Sequence, residues 1–531
     1  METVVHAGDL SDSEKRTLFW ASFLSLTAAG FGFAFRVAQG GVYGAELGLT
    51  NHQIGQVFGA SLWPIAIAMI GFSLVVDRTG YKWPMYGAFL LQGISGVGTY
   101  FATGYGSLYL FALCAGLGHG IVEAVINPIC AAVYPKEKTK WLTILHAAWP
   151  AGHVFGTLII IGADSFGGGL SWKTHALWIL IPAILYARMY GRCKFPVDQR
   201  VQAGVPYIEM LRQVGFLSAF LATFLVIYEI GNQADQLTGW MKPESWFNIS
   251  LGLGAVVGLV FGFMVKSVGR PLFFLLCLLM IPLATAELGT DQWIKKLMTP
   301  VLEGKDFNPA LALVFSAAIM LVLRVFAGGI LKFFSPPGLL CISGVFSAVG
   351  LWWLSGATGA AVFLAFVLYA LGQTYYWPCV LGFTSERYPQ GGALTLNTVS
   401  AIGLMSAGII GGQLLGVAFD KSIHESVNVE APALVQASAQ EKSFLGMSHD
   451  AIIPEAKDTY LAGLTDQAER TRIEDAYAEA DEQAGRDVLA YAVRFPAILM
   501  VVFGLIALWF RKRGGYKPIE LSGVEPAPSQ R

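Results

Sequence analysis

Apolar residues along the chain gather into fourteen runs of about twenty, each bounded by polar or charged residues, and a bilayer core of about 30 Å needs roughly that many residues in a helix. The first run spans Leu18 to Gly44 and the last Ala490 to Phe510. The longest interruption is Asp420 to Asp487, with fifteen acidic and six basic residues. Its later part, Thr465 to Asp487, reads as a polar, Ala- and Glu-rich helix leading into the final span. The pattern predicts an all-α integral membrane protein.

Composition agrees: 55% of the 531 residues are hydrophobic and 13% are charged, against roughly 25% charged in an average soluble domain. Glycine is frequent, and Gly254, Gly258 and Gly262, like Gly408, Gly412 and Gly416, repeat at the spacing that lets membrane helices approach closely. Charge then orients the chain. Lys15, Arg16, Arg78, Lys82, Lys136, Lys138, Lys140, Arg192, Lys194, Arg200, Lys266, Arg270, Lys332, Arg387 and Arg511 to Arg513 fall on one side of the alternation. The short loops of the other side hold Lys173, Lys242, Lys295, Lys296 and Lys305. The richer side is the expected cytoplasmic side, which places both termini there and the acidic segment outside. Met1 to Lys15, polar and acidic, does not read as a cleaved signal peptide. The net charge of −1 gives no sign of a nucleic-acid partner. The six cysteines show no metal-ligand spacing, so no disulfide and no metal site is expected.

Short internal similarities suggest two six-helix repeats. Ala45-Glu-Leu-Gly48 closes the first run and Ala286-Glu-Leu-Gly289 the ninth, while Glu123 precedes Pro128 as Gln373 precedes Pro378. The expected organisation is a tail at 1–17, a six-helix bundle at 18–191, a cytoplasmic linker at 192–213, an inserted two-helix hairpin at 214–266 and a second bundle at 267–510. That bundle carries an outer acidic insertion at 420–489, and a tail follows at 511–531. A rival parse takes Gly262 to Arg270 as a signature loop of the second half and makes the last two spans the extra ones.

Ionisable groups inside spans are candidates for function by default. Glu123 lies about 24 Å along the helix from one end of the fourth span and about 16 Å from the other, too deep to snorkel easily. His119 and Asn127 flank it one turn away on the same face. A buried carboxyl group there suits proton uptake and release, with a structural, hydrogen-bonded acid as the alternative. His146 and His153 sit seven residues apart on the fifth span, sharing a face, with Trp149 and Pro150 between them; interhelical hydrogen bonding competes with a substrate or proton role. Arg36, about 30 Å along its helix from Arg16, either snorkels or pairs with Glu123 or an anionic substrate. Glu287 and Asp291 form a candidate pair near the outer end of the ninth span, or a solvated helix end. Arg324 reads as an anchor for the cytoplasmic loop after it, and Arg494 as a snorkelling residue. Gln373, Tyr375, Tyr376, Trp377 and Asn397 give the second half an amide and aromatic lining suited to a polyhydroxylated ligand.

The loop Asp77-Arg78-Thr79-Gly80 resembles the Gly-x-x-x-Asp-Arg-x-Gly signature of the major facilitator superfamily, with Ser73 where the leading glycine is expected. Within it, Leu49-Thr-Asn-His-Gln-Ile-Gly55, Gly116-Leu-Gly118 and Glu123-x-x-x-Asn127-Pro128 resemble the fucose permease group of sugar–proton symporters, over roughly residues 18 to 160. The resemblance implies two rocking six-helix bundles, here with two extra helices, and a proton and sugar role for Glu123. It implies gating roles for Asp77 and Arg78. The group's partner aspartate on the first span aligns with Val37, beside Arg36.

The expected function is therefore secondary active transport of a small hydrophilic solute, a sugar or polyol, by a monomeric protein of the cell membrane. A proton is the expected coupling ion, with sodium as the alternative, and no cofactor is expected. An organic anion held by Arg36 is the second substrate class. No Gly-x-Gly-x-x-Gly, phosphate loop or nucleophile–base pair supports an enzyme, and the short tails leave little room for a sensor's output domain.

Overall fold

The computed structural model describes residues 5–49, 51–166, 171–241, 245–290, 310–358, 361–444 and 447–521. Asp291 and the loop lysines Lys242, Lys295, Lys296 and Lys305 lie outside them. Every one of the fourteen predicted runs falls on helix, but at Pro64, Pro150 and Pro378 the helix is broken into two pieces, while the helices bearing Pro128 and Pro282 run on through them. Proline has no N–H and its ring clashes with the carbonyl four residues back.

The first half begins with α1 (Asp12–Leu47), whose N-cap Ser11 and Glu14 form a reciprocal capping box. The second run becomes α2 (Asn51–Ala60) and α3 (Trp63–Thr79), divided just before Trp63-Pro64. After α4 (Lys82–Tyr100) and α5 (Tyr105–Val133), the fifth run becomes α6 (Lys138–Leu145) and α7 (Ala148–Phe166), divided before Trp149-Pro150. The sixth run comprises α8 (Trp172–Ala176), a 3-10 turn and α9 (Leu180–Arg192), and the linker holds α10 (Gln199–Gln202).

A pair of long helices follows, α11 (Tyr207–Thr238) and α12 (Trp246–Val265). Gly254, Gly258 and Gly262 of α12 lie against Phe224, Phe220 and Phe216 of α11, with no room for a larger side chain at Gly258 or Gly262. The second half contains α13 (Pro271–Ala284), running into a π turn at Thr285–Gly289, then α14 (Ala310–Val325), α15 (Ala327–Ile330) and α16 (Pro336–Gly356). The twelfth run becomes α17 (Ala361–Gln373) and α18 (Tyr376–Arg387), divided before Trp377-Pro378. The thirteenth is α19 (Gly392–Ser406), a second π turn at Ala407–Gly411, and α20 (Gly412–Glu430).

The all-α expectation needs one correction. The acidic insertion carries α21 (Pro432–Ser438) and an antiparallel hairpin of β1 (Ala439–Phe444) and β2 (Met447–Ile452). Ala439 pairs with Ile452 and Phe444 with Met447. Then come α22 (Pro454–Gly463) and α23 (Gln467–Ala492), which leads into α24 (Arg494–Lys512) as its Ala- and Glu-rich sequence predicts. Leu434, Ala451, Leu461, Ile473 and Val488 are buried, so the insertion has an apolar core.

Among the described residues ten helical segments are long and apolar enough to cross a membrane. The third, sixth, tenth and twelfth predicted runs are helical but fall short in length or apolarity, so the plain finding is an all-helical membrane architecture of about ten clear spans.

Helices of the first half pack mainly on one another, α1 on α7 and α9, and α5 on α3 and α4. In the second half α16 packs on α17 and α24, and α13 on α19. The halves meet where α3 lies along α19, α7 along α14 and α6 along α18. Of the α11–α12 pair, α11 leans on α19 and α13.

On the face that carries Asp77 the two halves are tied together. Lys138 Nζ donates to the Ser385 carbonyl at 3.0 Å, and the backbone N–H of Thr139, one of the unpaired donors in the first turn of α6, is capped by Glu386 Oε1 at 3.2 Å. The other oxygen of Glu386 accepts from Tyr516 Oη at 2.7 Å, so the segment after α24 joins the same contact.

Candidate functional site

The core of the site is α5. Gly116 and Gly120 bring its backbone against the carbonyls of Ala60 and Ile65, which fixes the face bearing His119, Glu123 and Asn127. Glu123 is 7% exposed and Asn127 fully buried. Asn127 Nδ2 donates to Glu123 Oε2 at 2.7 Å, its Oδ1 lies 3.0 Å from His146 Nε2, and His119 Nε2 is 3.7 Å from Glu123 Oε1. Among the described residues no arginine or lysine forms an ion pair with Glu123. Of the alternatives for Arg36, the pair with Glu123 is not formed: Glu123 meets the amide of Asn127 and the imidazole of His119.

Arg36 stays close to its own helix, with Gly32 beside its guanidinium, and its Nε is buried without a hydrogen-bond partner among the described residues. The side chain of Val37 lies outside the described residues.

The histidines of the fifth run do not share one continuous helix face, because the break before Pro150 falls at His146 itself. His146 turns to Asn127, whereas His153 stacks on Phe33 with centroids 5.4 Å apart. Trp149 lies between His119 and His153, stacked on the first at 4.9 Å and tilted against the second at 4.8 Å. The result is a continuous aromatic layer of Phe33, His153, Trp149 and His119 above a buried carboxylate.

The second half answers with a second carboxylate, and here two expectations change. Glu287 is not a solvated helix end, and Arg324 does not anchor the following loop: Arg324 Nη2 donates to Glu287 Oε1 at 3.0 Å with both residues buried. Depth counted along straight helices misplaced them, because Glu287 sits in the π turn after α13 and α14 ends one residue beyond Arg324. Arg324 also donates to the carbonyls of Thr374 at 2.8 Å and His146 at 3.0 Å, which joins it to the first-half cluster.

The predicted amide and aromatic lining divides. Gln373 Nε2 reaches Ser316 Oγ at 3.3 Å while its Oε1 is buried without a partner among the described residues, as are Glu287 Oε2 and His153 Nε2. Trp377 packs on Gly403 beside Met280. Tyr375 and Tyr376 turn away, bonding the carbonyls of Leu323 and Ser343. Asn397 does not line the cluster at all: its Nδ2 donates to Ser73 Oγ at 2.7 Å and to the Ala124 carbonyl at 3.0 Å.

Asp77 forms an ion pair with Arg200, whose Nη1 also donates to the Val205 carbonyl at 2.7 Å, and Arg78 is exposed. Asp198 accepts from Tyr81 Oη at 3.2 Å and packs against Gly392, at the start of α19. Burial pushes its carboxyl up from the ordinary value, against the lowering pull of the Arg200 backbone N–H and charge. Sequence reasoning missed Arg200, Phe33 and Thr374; the signal available for Thr374 was the repeated Trp-Pro pair.

A family model described as Major Facilitator Superfamily matches residues 18–412. Among solved structures, the chain is similar to the proton:xylose symporter XylE bound to 6-bromo-6-deoxy-D-glucose, with 14% identity, 93% of this chain and 96% of that one covered, and a TM-score of 0.59. It is similar to the E. coli fucose:proton symporter FucP, with 12% identity, 93% and 98% covered, and a TM-score of 0.53. The human organic anion transporter MFSD10 aligns with 9% identity, 92% and 99% covered, and a TM-score of 0.55. At these identities the likeness shows the fold alone. A search of the curated proteins finds no match.

Proposed function

Because this chain belongs to the major facilitator superfamily and is a multi-pass secondary transporter rather than an enzyme, we propose that it moves a sugar or related polyol together with protons. The observation that carries this reading is the Glu123 cluster. A buried carboxylate held by Asn127 and His119, with no arginine or lysine against it among the described residues, can gain and lose a proton without breaking a strong ion pair. The adjoining aromatic layer of Trp149, His119 and His153 suits the C–H faces of a sugar ring. The buried atoms of Gln373, Glu287 and His153 that have no hydrogen-bond partner among the described residues suit its hydroxyls. The distant fold likeness to two sugar–proton symporters is compatible with the reading.

In this reading fourteen helices form two six-helix bundles, 18–191 and 267–510, with 214–266 as an inserted hairpin. Support comes from the packing: α24 lies on α16 and α13 inside the second group, which argues against the last spans being the extra ones. The Asp77 face is cytoplasmic, on the strength of its basic residues, and 420–489 is outside.

The test uses vesicles containing the full chain. Glu123→Gln abolishes concentrative uptake and spares counterflow exchange; concentrative uptake equal to the parent removes the mechanism. A thermal-shift screen of sugars, polyols and organic acids identifies the solute class. The second reading, an organic anion, is favoured by the buried Nε of Arg36, which has no hydrogen-bond partner among the described residues.

A further inference from the structure

A proline inside a span frees the backbone carbonyl four residues earlier, because residue i+4 has no N–H to give it, and three of the prolines in this chain share a further feature. Pro128 frees the carbonyl of Ala124, Pro150 that of His146 and Pro378 that of Thr374. A buried carbonyl without a donor is costly, so each needs a partner from elsewhere.

All three have one, and in every case it is a side chain of the second half. Asn397 Nδ2 donates to Ala124 at 3.0 Å, Arg324 Nη1 to His146 at 3.0 Å and Arg324 Nε to Thr374 at 2.8 Å. The first two bonds cross from the second half to the first. Arg324 is fixed in place for this by Glu287, which occupies its remaining terminal nitrogen at 3.0 Å. The guanidinium therefore spans three acceptors at once, which a lysine ammonium cannot match in geometry.

We infer that Arg324 and Asn397 are positioning residues of the transport cycle: they latch the two halves together through the carbonyls that Pro150 and Pro128 set free. When the halves rock apart, His146 and Ala124 lose these donors, so Pro150 and Pro128 make the closed contact dependent on side chains of the second half. This rests on the reading of the chain as an alternating-access transporter, and neither the cargo nor the coupling ion enters it.

The experiment measures the distance between spin labels at Lys136 and Lys332, exposed residues on the Asp77 face of the first and second half. The full chain is used, with its six cysteines replaced before labelling, in lipid nanodiscs and without substrate. Pro150→Ala restores an N–H that draws the His146 carbonyl back into its own helix. It is expected to leave thermal stability equal or higher while raising the ratio of separated to closed molecules by roughly tenfold, the worth of a hydrogen bond from a charged donor. Arg324→Gln shifts the distances the same way, and Arg324→Lys gives an intermediate shift. An unchanged distance distribution in Pro150→Ala overturns the inference, whether or not Arg324→Gln folds, since a purely structural arginine would leave the proline without influence on the separation. The outcome is independent of Glu123→Gln uptake, so either proposal can fail alone.

Discussion

Asn397 Nδ2 lies 2.7 Å from Ser73 Oγ, a hydrogen bond between residues 324 positions apart. Ser73 stands where the superfamily signature has its leading glycine, and the hydroxyl that replaces hydrogen there is the group the second half grips. Ser73 also donates to the Met69 carbonyl of its own helix at 2.6 Å, so its oxygen is free to accept from the amide. Ser73→Ala is therefore expected to cost about 1 kcal/mol, with Asn397 retaining the Ala124 carbonyl. A melting temperature in detergent identical to the parent's would show that the contact contributes nothing.

Asn127 serves two buried partners, Glu123 and His146. Asn127→Ala removes a partner from each and is expected to cost about 1–3 kcal/mol in stability and to weaken concentrative uptake. Thermal melts and vesicle uptake check the two effects separately; loss of stability with full uptake would assign Asn127 to structure alone.

Arg36 separates the two substrate readings. If the cargo is an anion, Arg36→Ala weakens its binding about tenfold or more, the usual worth of a charge-assisted hydrogen bond. If the cargo is a neutral polyol, its affinity changes little. Titration of the parent and variant with one sugar acid and its neutral sugar decides between them.

Asp198 lies in the linker, outside the spans, and its burial raises the carboxyl above its ordinary value of 3.8. A group raised on folding contributes most in acid, and that contribution declines as pH rises through the raised value. Asp198→Asn keeps a good helix N-cap for α10 while removing the titration. The variant should flatten the decline in melting temperature as pH rises above the ordinary value of 3.8; a parallel decline in both proteins would clear Asp198 of any part in it.

Leu434 is fully buried in the insertion. Leu434→Ala is expected to cost the insertion about 2–5 kcal/mol and to speed proteolysis within 420–489. Cleavage at the parental rate would mean that the insertion's apolar residues do not hold it together.

Much of the architecture was legible because membrane helices write themselves in runs of apolar residues, a signal that needs no knowledge of neighbours. The runs all fall on helix, ten of them in segments long and apolar enough to cross a membrane among the described residues, the Ala- and Glu-rich stretch becomes α23, and four-residue spacing puts His119, Glu123 and Asn127 on one buried face. The β hairpin escaped because its strands, Ala439–Phe444 and Met447–Ile452, carry mixed polar residues with no sustained alternation. Only the tertiary structure decided which charges meet. Arg324 finds Glu287 and not a loop, Arg36 does not reach Glu123, and Asn397 bonds Ser73 and not a solute. The sequence by itself determined where polar groups interrupt the hydrocarbon and where prolines release carbonyls, since both are properties of single residues and their spacing. Their partners lie on other helices, and helix packing, with π turns and breaks that rotate a side chain from its straight-helix position, selects among them.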